Sequence, residues 1–318
     1  MSKKLKIAAG VSGAAAASYF LIGNVFYGLF LTRQGTKIVT TLMPDHDEES
    51  SKIFRENPII KEGLDWYNSS EKSRVETHTR EGKLCHGVLI KTPEESHKYV
   101  ICCHGYTSKP SDMGSYGKEF AKRGFNVLFP VLNGHEDSET PLISMGWLDR
   151  LIVVAFANYI ADSDPQAQIV LHGCSMGGAT VMMATGEKMT ANVKCCVEDC
   201  GYTSVWDEYS VQIKDYLHMS KFPMVTAADL VAKIYGGHGF KEASAINQLR
   251  KSVTPTLFIH GERDTFVPFW MLETNYGAAA CEKDKLAVPD ATHSVSAFIH
   301  PEMYWEKIDS FISKYVTD

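Results

Sequence analysis

The chain has 318 residues, 44% apolar and 22% charged, with 32 basic against 38 acidic side chains and a net charge of −6. That length suits one large α/β domain with appendages, and an acidic balance without a Lys/Arg stripe argues against a nucleic-acid partner. The eight cysteines, at 85, 102, 103, 174, 195, 196, 200 and 281, contain no C-x-x-C pair, so neither a zinc site nor an evenly spaced disulfide framework is expected.

Lys3, Lys4 and Lys6 precede an uncharged stretch from Ile7 to Thr32. As a helix these 26 residues reach roughly 39 Å, enough to cross a hydrocarbon core of about 30 Å. Residues 1–33 therefore read as a membrane anchor or signal-like helix. Ala15 and Ala17 offer a small-residue cleavage site, but the most apolar part, YFLIGNVFYGLFL (19–31), lies after it. An uncleaved single-pass anchor is expected, with a helix packed on the domain as the plainer alternative. The basic cluster predicts a cytoplasmic N-terminus and an extracytoplasmic domain. The unpaired cysteines point the other way, to a cytoplasmic or reducing location.

Residues 34–74 are mixed and polar, with Pro44 and a D-H-D-E-E run at 45–49, and read as a helical or irregular connection. The rhythm changes at Val75. VETHT (75–79) and LCHGVLI (84–90) flank Glu81-Gly82 as a hairpin. Short apolar runs then follow at YVICC (99–103), NVLFP (126–130), QIVLH (168–172), VKCCVE (193–198), PTLFIH (255–260) and DKLAV (284–288). Helical spacing separates them at 112–123, 145–161, 176–187, 268–280 and 302–315. A hairpin followed by strand–helix units predicts a mostly parallel sheet flanked by helices. Between Glu198 and Pro255 the gap far exceeds a simple crossover, and WDEYSVQIKDYLHM (206–219) and FPMVTAADLVAKIY (222–235) fill it with helices. This insertion, about 201–252, is expected to overhang the C-terminal strand edge as a lid. Trp206, Tyr209, Phe222 and Met224 are candidates to line a substrate pocket, or else to fill the lid's own core.

The chemistry centres on LHGCSMGGAT (171–180). A strand-to-helix nucleophile elbow is so sharp that the residues two before and two after the nucleophile must be small. For Ser175 these are Gly173 and Gly177; for Cys174 they are His172 and Met176, which would clash. The geometry selects Ser175. A serine needs an imidazole to take its proton and a carboxylate to orient that imidazole. His293 in PDATHSV follows the last strand and Asp264 in IHGERDTFVP the one before it, giving the chain order Ser, Asp, His. Asp199, just past an earlier strand, is a rival acid. Met176, next after the nucleophile, and Tyr106 in CHGYTS (103–108) are the expected main-chain oxyanion donors. His-Gly recurs at 104–105, 172–173 and 260–261, but in the usual strand order of this architecture the three are not all neighbours. A metal site is not expected, and no cofactor is required.

On HGYTS, GCSMGG, the D-T-F-V-P loop and the A-T-H loop, residues 75–318 resemble the α/β-hydrolase superfamily. Among its members they look most like bacterial esterases, lipases or serine-peptidase-like hydrolases with an N-terminal hydrophobic segment. The resemblance implies the α/β-hydrolase fold, Ser175 as nucleophile, Asp264 as acid, His293 as base, and Tyr106 and Met176 as oxyanion donors. The chain departs from many relatives at NGHEDSETPL (133–142), where only Gly134, His135 and Ser138 match the common G-H-G-x-S-x-G. The expected activity is hydrolysis of carboxylic esters of small to medium acyl groups through an acyl-enzyme. A peptidase or amidase of the same fold, an acyltransferase, and an inactive anchored binding protein are the alternatives.

Overall fold

Thirteen helices and eight strands are defined in a computed structural model that describes residues 3–42, 48–215 and 218–317, with side chains in the first helix from Gly13 onward. Pro44 and the first three residues of the acidic run at 45–49 lie outside the described residues, as do Tyr216 and Leu217 near the end of the first inserted helix.

Four helices come first: α1 (Lys3–Phe30), α2 (Arg33–Leu42), α3 (Glu48–Glu56) and α4 (Pro58–Ser69). The hairpin β1 (Ser73–His78) and β2 (Leu84–Ile90) follows, then β3 (Lys98–Cys103), α5 (Gly114–Lys122), β4 (Asn126–Pro130), α6 (Asp149–Ser163), β5 (Gln168–Cys174) and α7 (Met176–Thr185). After β6 (Val193–Asp199) come the inserted helices α8 (Val205–Asp215), α9 (Lys221–Gly236) and α10 (Ala245–Leu249). The chain ends with β7 (Thr256–Gly261), α11 (Trp270–Ala278), β8 (Lys283–Val288), α12 (Ser296–Ile299) and α13 (Pro301–Ile312).

The strands form one sheet in the order β1-β2-β4-β3-β5-β6-β7-β8. β1 and β2 pair antiparallel, β2 meets β4 antiparallel, and β4 through β8 are parallel. The central strands read as continuous apolar runs because both faces are covered: β3, β4 and β7 are almost wholly buried. One face is sealed by α4, α5 and α13 through Tyr67, Phe120, Tyr304 and Phe311. The other is sealed by α6 and α7 through Phe156 and Val181. A further cluster, centred on Phe26, Met176, Tyr209 and Phe258, joins α1 and the insertion to the sheet's C-terminal edge.

Two departures from the sequence reading concern the first 70 residues. The segment read as a connection docks on the domain. Asn57 caps α4 by accepting from the Ile59 amide at 2.9 Å, and Pro58 starts the helix where its missing N–H costs nothing. Gly63 then lies so close to α5 that a Cβ there would be 2.3 Å from the Ser115 backbone. The second departure is α1, only part of which projects. Gly13–Ser18 are exposed, whereas Phe26, Tyr27 and Leu31 are buried against the insertion. Gly23 permits this, since a Cβ would sit 2.4 Å from the Ala227 carbonyl of α9.

Candidate active site

Ser175 occupies the turn between β5 and α7 with φ 58° and ψ −120°, a conformation L-residues avoid. The glycines on either side make that turn possible. A Cβ at Gly173 would lie 2.2 Å from the Gly177 carbonyl, and one at Gly177 would lie 2.0 Å from the Cys103 carbonyl. The Ser175 amide is fastened to the Asp199 carbonyl at the end of β6 (2.8 Å). Cys174 points the opposite way, buried 3.8 Å from the Cys200 sulfur and accepting a long contact from the Tyr116 hydroxyl.

Loops from two further strand ends converge on the serine. Ser175 Oγ donates to His293 Nε2 at 2.8 Å, and His293 Nδ1 donates to Asp264 Oδ2 at 2.7 Å. Asp264 is buried, and its Oδ1 accepts the amides of Phe266 (3.0 Å) and Val267 (2.9 Å). His260, at the end of β7, lies 3.3 Å from Oδ2 and donates to the Val267 carbonyl. Burial raises the Asp264 pKa, but His293 and His260 outweigh it and bring the carboxyl down to about 2. For His293, burial pulls the other way and the Asp264 carboxylate prevails, lifting the imidazole to about 9. The array is therefore built to hold a proton on the imidazole once one arrives.

Asp199, the rival carboxylate, does not bond to His293. It lies beside Tyr304, and burial lifts it to about 6 against the pull of nearby His260. The three His-Gly steps end β3, β5 and β7, and β6 separates the last from the others. Their rings go to different partners: His104 Nδ1 to the Gly105 carbonyl, His172 to Tyr304, and His260 to Val267. The described residues hold one clustered set of metal-capable side chains, Cys200, Asp264 and His293, and two of its three members belong to the array on Ser175.

The loop after β3 lies against the elbow. A Cβ added to Gly105 would be 3.6 Å from that of Ser175, so the glycine lets main chain approach the serine. Among the described residues, neither the Met176 nor the Tyr106 N–H has an internal acceptor. Met176 opens α7, where the helix dipole adds to the N–H field. Two neutral histidines brace the loop. His104 accepts the Leu132 amide (3.2 Å) and His135 accepts the Thr107 amide (3.1 Å). Burial lowers both, His104 to about 3.

Of the four pocket candidates, Trp206, Tyr209 and Met224 pack in the same cluster as Tyr106 and Met176. Phe222 does not: it is 66% exposed, with its ring against Tyr19 of α1. Several residues near the site gave no distinct signal in the sequence. Phe30 accepts a 2.6 Å hydrogen bond from the Tyr106 hydroxyl. Ser50 of α3 donates to the His293 carbonyl at 3.0 Å. Glu208 of α8, buried and raised to about 8 by burial, is close enough to feel the charge of His293. His260 was read only as one of the three His-Gly steps, and its spacing of four residues before Asp264 is the signal that could have placed it here.

An eight-stranded, mostly parallel sheet carrying a serine on a strained strand-to-helix elbow defines an α/β-hydrolase, and the chain is a serine hydrolase of that fold. It belongs to the prolyl oligopeptidase family, whose model it matches over residues 153–317, more than half its length. It is 22% identical over 221 residues to the uncharacterized protein YqkD of Bacillus subtilis, covering 69% of this chain and 72% of that one. The fold matches the Pyrococcus furiosus esterase Pf2001 with a TM-score of 0.63 at 22% identity, covering 78% of this chain and 93% of the esterase. It also matches the Pyrococcus horikoshii acylaminoacyl peptidase (TM-score 0.59, 15% identity), covering 79% of this chain but 44% of the peptidase.

Proposed function

We propose that the protein is a carboxylesterase of small to medium acyl groups, with Ser175, His293 and Asp264 as its catalytic residues. The observation that carries this reading is the unbroken line Ser175 Oγ–His293 Nε2 (2.8 Å) and His293 Nδ1–Asp264 Oδ2 (2.7 Å). Ser175 Oγ attacks the acyl carbon while His293 takes its proton, and Asp264 stabilises the imidazolium. The oxyanion forms against the free N–H groups of Met176 and Tyr106, a pair of donors of which each is typically worth about 10²–10³ in rate. His293 then protonates the departing alkoxide, and water repeats the sequence on the acyl-enzyme. The insertion, with Trp206, Tyr209 and Met224 beside Tyr106, acts as a lid that bounds the acyl pocket.

The family match favours a second reading, amide or peptide hydrolysis on the same residues. A chain-length series of chromogenic esters, run beside matched acyl anilides, separates the two. Turnover of anilides at rates comparable with the esters would overturn the esterase reading. A fluorophosphonate probe should label the wild type and leave Ser175→Ala unlabelled; a labelled, active alanine variant would remove Ser175 from the mechanism.

The same reading puts the projecting part of α1 in the membrane, with the domain extracytoplasmic. It rests on the uncharged run that follows the basic cluster Lys3, Lys4 and Lys6, which leads into an 18-residue apolar window, Gly13–Phe30, of mean hydropathy 1.3 whose later turns dock on the domain. The eight unpaired cysteines favour the cytoplasmic alternative. Protease accessibility of the domain in intact cells distinguishes the two sides.

A further inference from the structure

α1 and α9 run side by side in the same direction. The ring of Tyr19 is 6.3 Å from that of Phe222, Gly23 abuts Ala227, and Tyr27 lies 5.5 Å from Tyr235. The Tyr235 hydroxyl also donates to Asn24 Oδ1 at 2.8 Å. These contacts occupy the inner face of each helix. The outer faces stay apolar: Leu21 (64% exposed) and Val25 (53%) form an i, i+4 stripe on α1, as Leu230 (42%) and Ile234 (56%) do on α9. Scattered exposed apolar residues are ordinary, but here each of two adjacent helices carries its own exposed apolar stripe.

The two helices come together in a collar where α1 leaves the domain, at the Tyr19–Phe222 contact. Phe20, Leu21, Met219 and Phe222 are all exposed there, and Lys221 stands among them. Beyond the collar α1 is uncharged back to Ile7. From Ile7 to Ser18 the helix reaches only about 18 Å, well short of a hydrocarbon core of about 30 Å. A bilayer that takes this helix must thin, or must draw apolar surface from the domain into it.

We propose that the collar supplies that surface: Met219 and Phe222, at the start of α9, sit in the bilayer together with Phe20 and Leu21. The inserted helices are then held on the membrane at a second point besides α1. The occupant is a lipid bilayer rather than a second copy of the chain, because the apolar stripe of α1 continues into the uncharged projecting helix. Lys221 at the collar and Lys3, Lys4 and Lys6 at the far end stand where headgroups would meet them. This rests on the reading of α1 as a membrane segment, and the test separates the two.

The full chain is reconstituted into phosphatidylcholine–phosphatidylglycerol vesicles. An environment-sensitive fluorophore is placed in turn at Leu21→Cys, Phe222→Cys, Met219→Cys, Ile234→Cys and Lys61→Cys, the parent chain giving the background from partly exposed Cys281. Lys61 lies on α4, across the sheet. Nitroxide-labelled lipids should quench the probes at 21, 222 and 219 strongly, the probe at 234 less, and the probe at 61 not at all. Quenching at 21 with none at 219 or 222 leaves the anchor standing and overturns the collar. No quenching at 21, with protein that does not float with vesicles, overturns both. A blue shift at 222 that rises with protein concentration and ignores the lipid quencher would mean the collar is a chain–chain contact, which also overturns it.

Discussion

The hydroxyl of Tyr106 donates to the main-chain carbonyl of Phe30 at 2.6 Å, tying the loop that carries one proposed oxyanion donor to the last turn of the N-terminal helix. Tyr106→Phe keeps the main-chain N–H and cuts the tie. The Phe30 carbonyl loses its partner, and stability should fall by about 1 kcal/mol. If the tie positions the donor, kcat falls while KM for a soluble ester barely changes. Urea denaturation and steady-state kinetics on the same preparation check both parts.

Asp264→Asn keeps the shape of the acid and removes its charge. In a serine protease that carries the same triad on an unrelated fold, such a change lowers kcat by roughly 10⁴-fold. The pH profile carries a sharper signature. The base works as neutral imidazole, so kcat/KM should rise with pH through the His293 ionisation, which lies above its ordinary 6.5 and near 9. Without the carboxylate the largest influence holding His293 up is gone and burial, which lowers it, has less to oppose it, so in the asparagine variant the residual activity should rise at lower pH. An unshifted profile would assign the limb to another group.

The sequence made the Ser175 turn fully legible, because steric need at Gly173 and Gly177 is a local property of five residues. The strands were legible for a similar reason, β1 and β2 as the arms of a hairpin and the other six as short apolar runs. The choice between Asp264 and Asp199 was not local. Asp199 closes β6 and Asp264 lies in the loop just past β7, and only the path of the Arg263–Phe269 loop brings one of them within 2.7 Å of His293. The first 70 residues were the least legible. Phe26 packs on Tyr209 and Phe240 and Tyr27 on Tyr235, all about two hundred residues later, and no window around residue 23 contains them. In α4, Ile59, Ile60, Gly63, Trp66 and Tyr67 do follow helical spacing, but interleaved Lys61, Glu62, Asp65 and Asn68 gave the segment the look of a polar connection.

Glu208→Gln should stabilise the protein, increasingly so as pH rises. In the unfolded chain this carboxyl ionises near 4.5, whereas burial in the fold holds its proton to about 8. Between those values the folded state binds the extra proton, so the wild type loses stability as pH rises from 4.5 to 8. Glutamine has no such proton. The melting temperatures of variant and wild type should lie close together at pH 4 and separate in the variant's favour by pH 8. A constant difference would mean that the effect comes from the hydrogen bond with Gln212 rather than from the charge.

Cys174→Ala separates packing from chemistry at the elbow. The thiol is buried between Tyr116 and Cys200, and its removal leaves a small void costing about 1 kcal/mol. The main-chain turn at Ser175 is set by its glycine neighbours, so ester turnover should stay within a few-fold of wild type. Loss of the fluorophosphonate signal in a folded Cys174→Ala protein would place the thiol in the reaction.

Arg33, just past the end of α1, bonds at once to Gly134, Ser138 and Thr140, while its own amide donates to Pro141. Anyone shortening the chain to obtain a tractable enzyme therefore faces an uneven choice of cut. Starting at Gly13 keeps every contact between α1 and the domain described above. Starting at Lys37 discards the clasp on the 134–141 loop, the acceptor of the Tyr106 hydroxyl and the cover over Tyr209 together, so a poorly behaved fragment of that kind reports on lost structure and says little about the chemistry at Ser175.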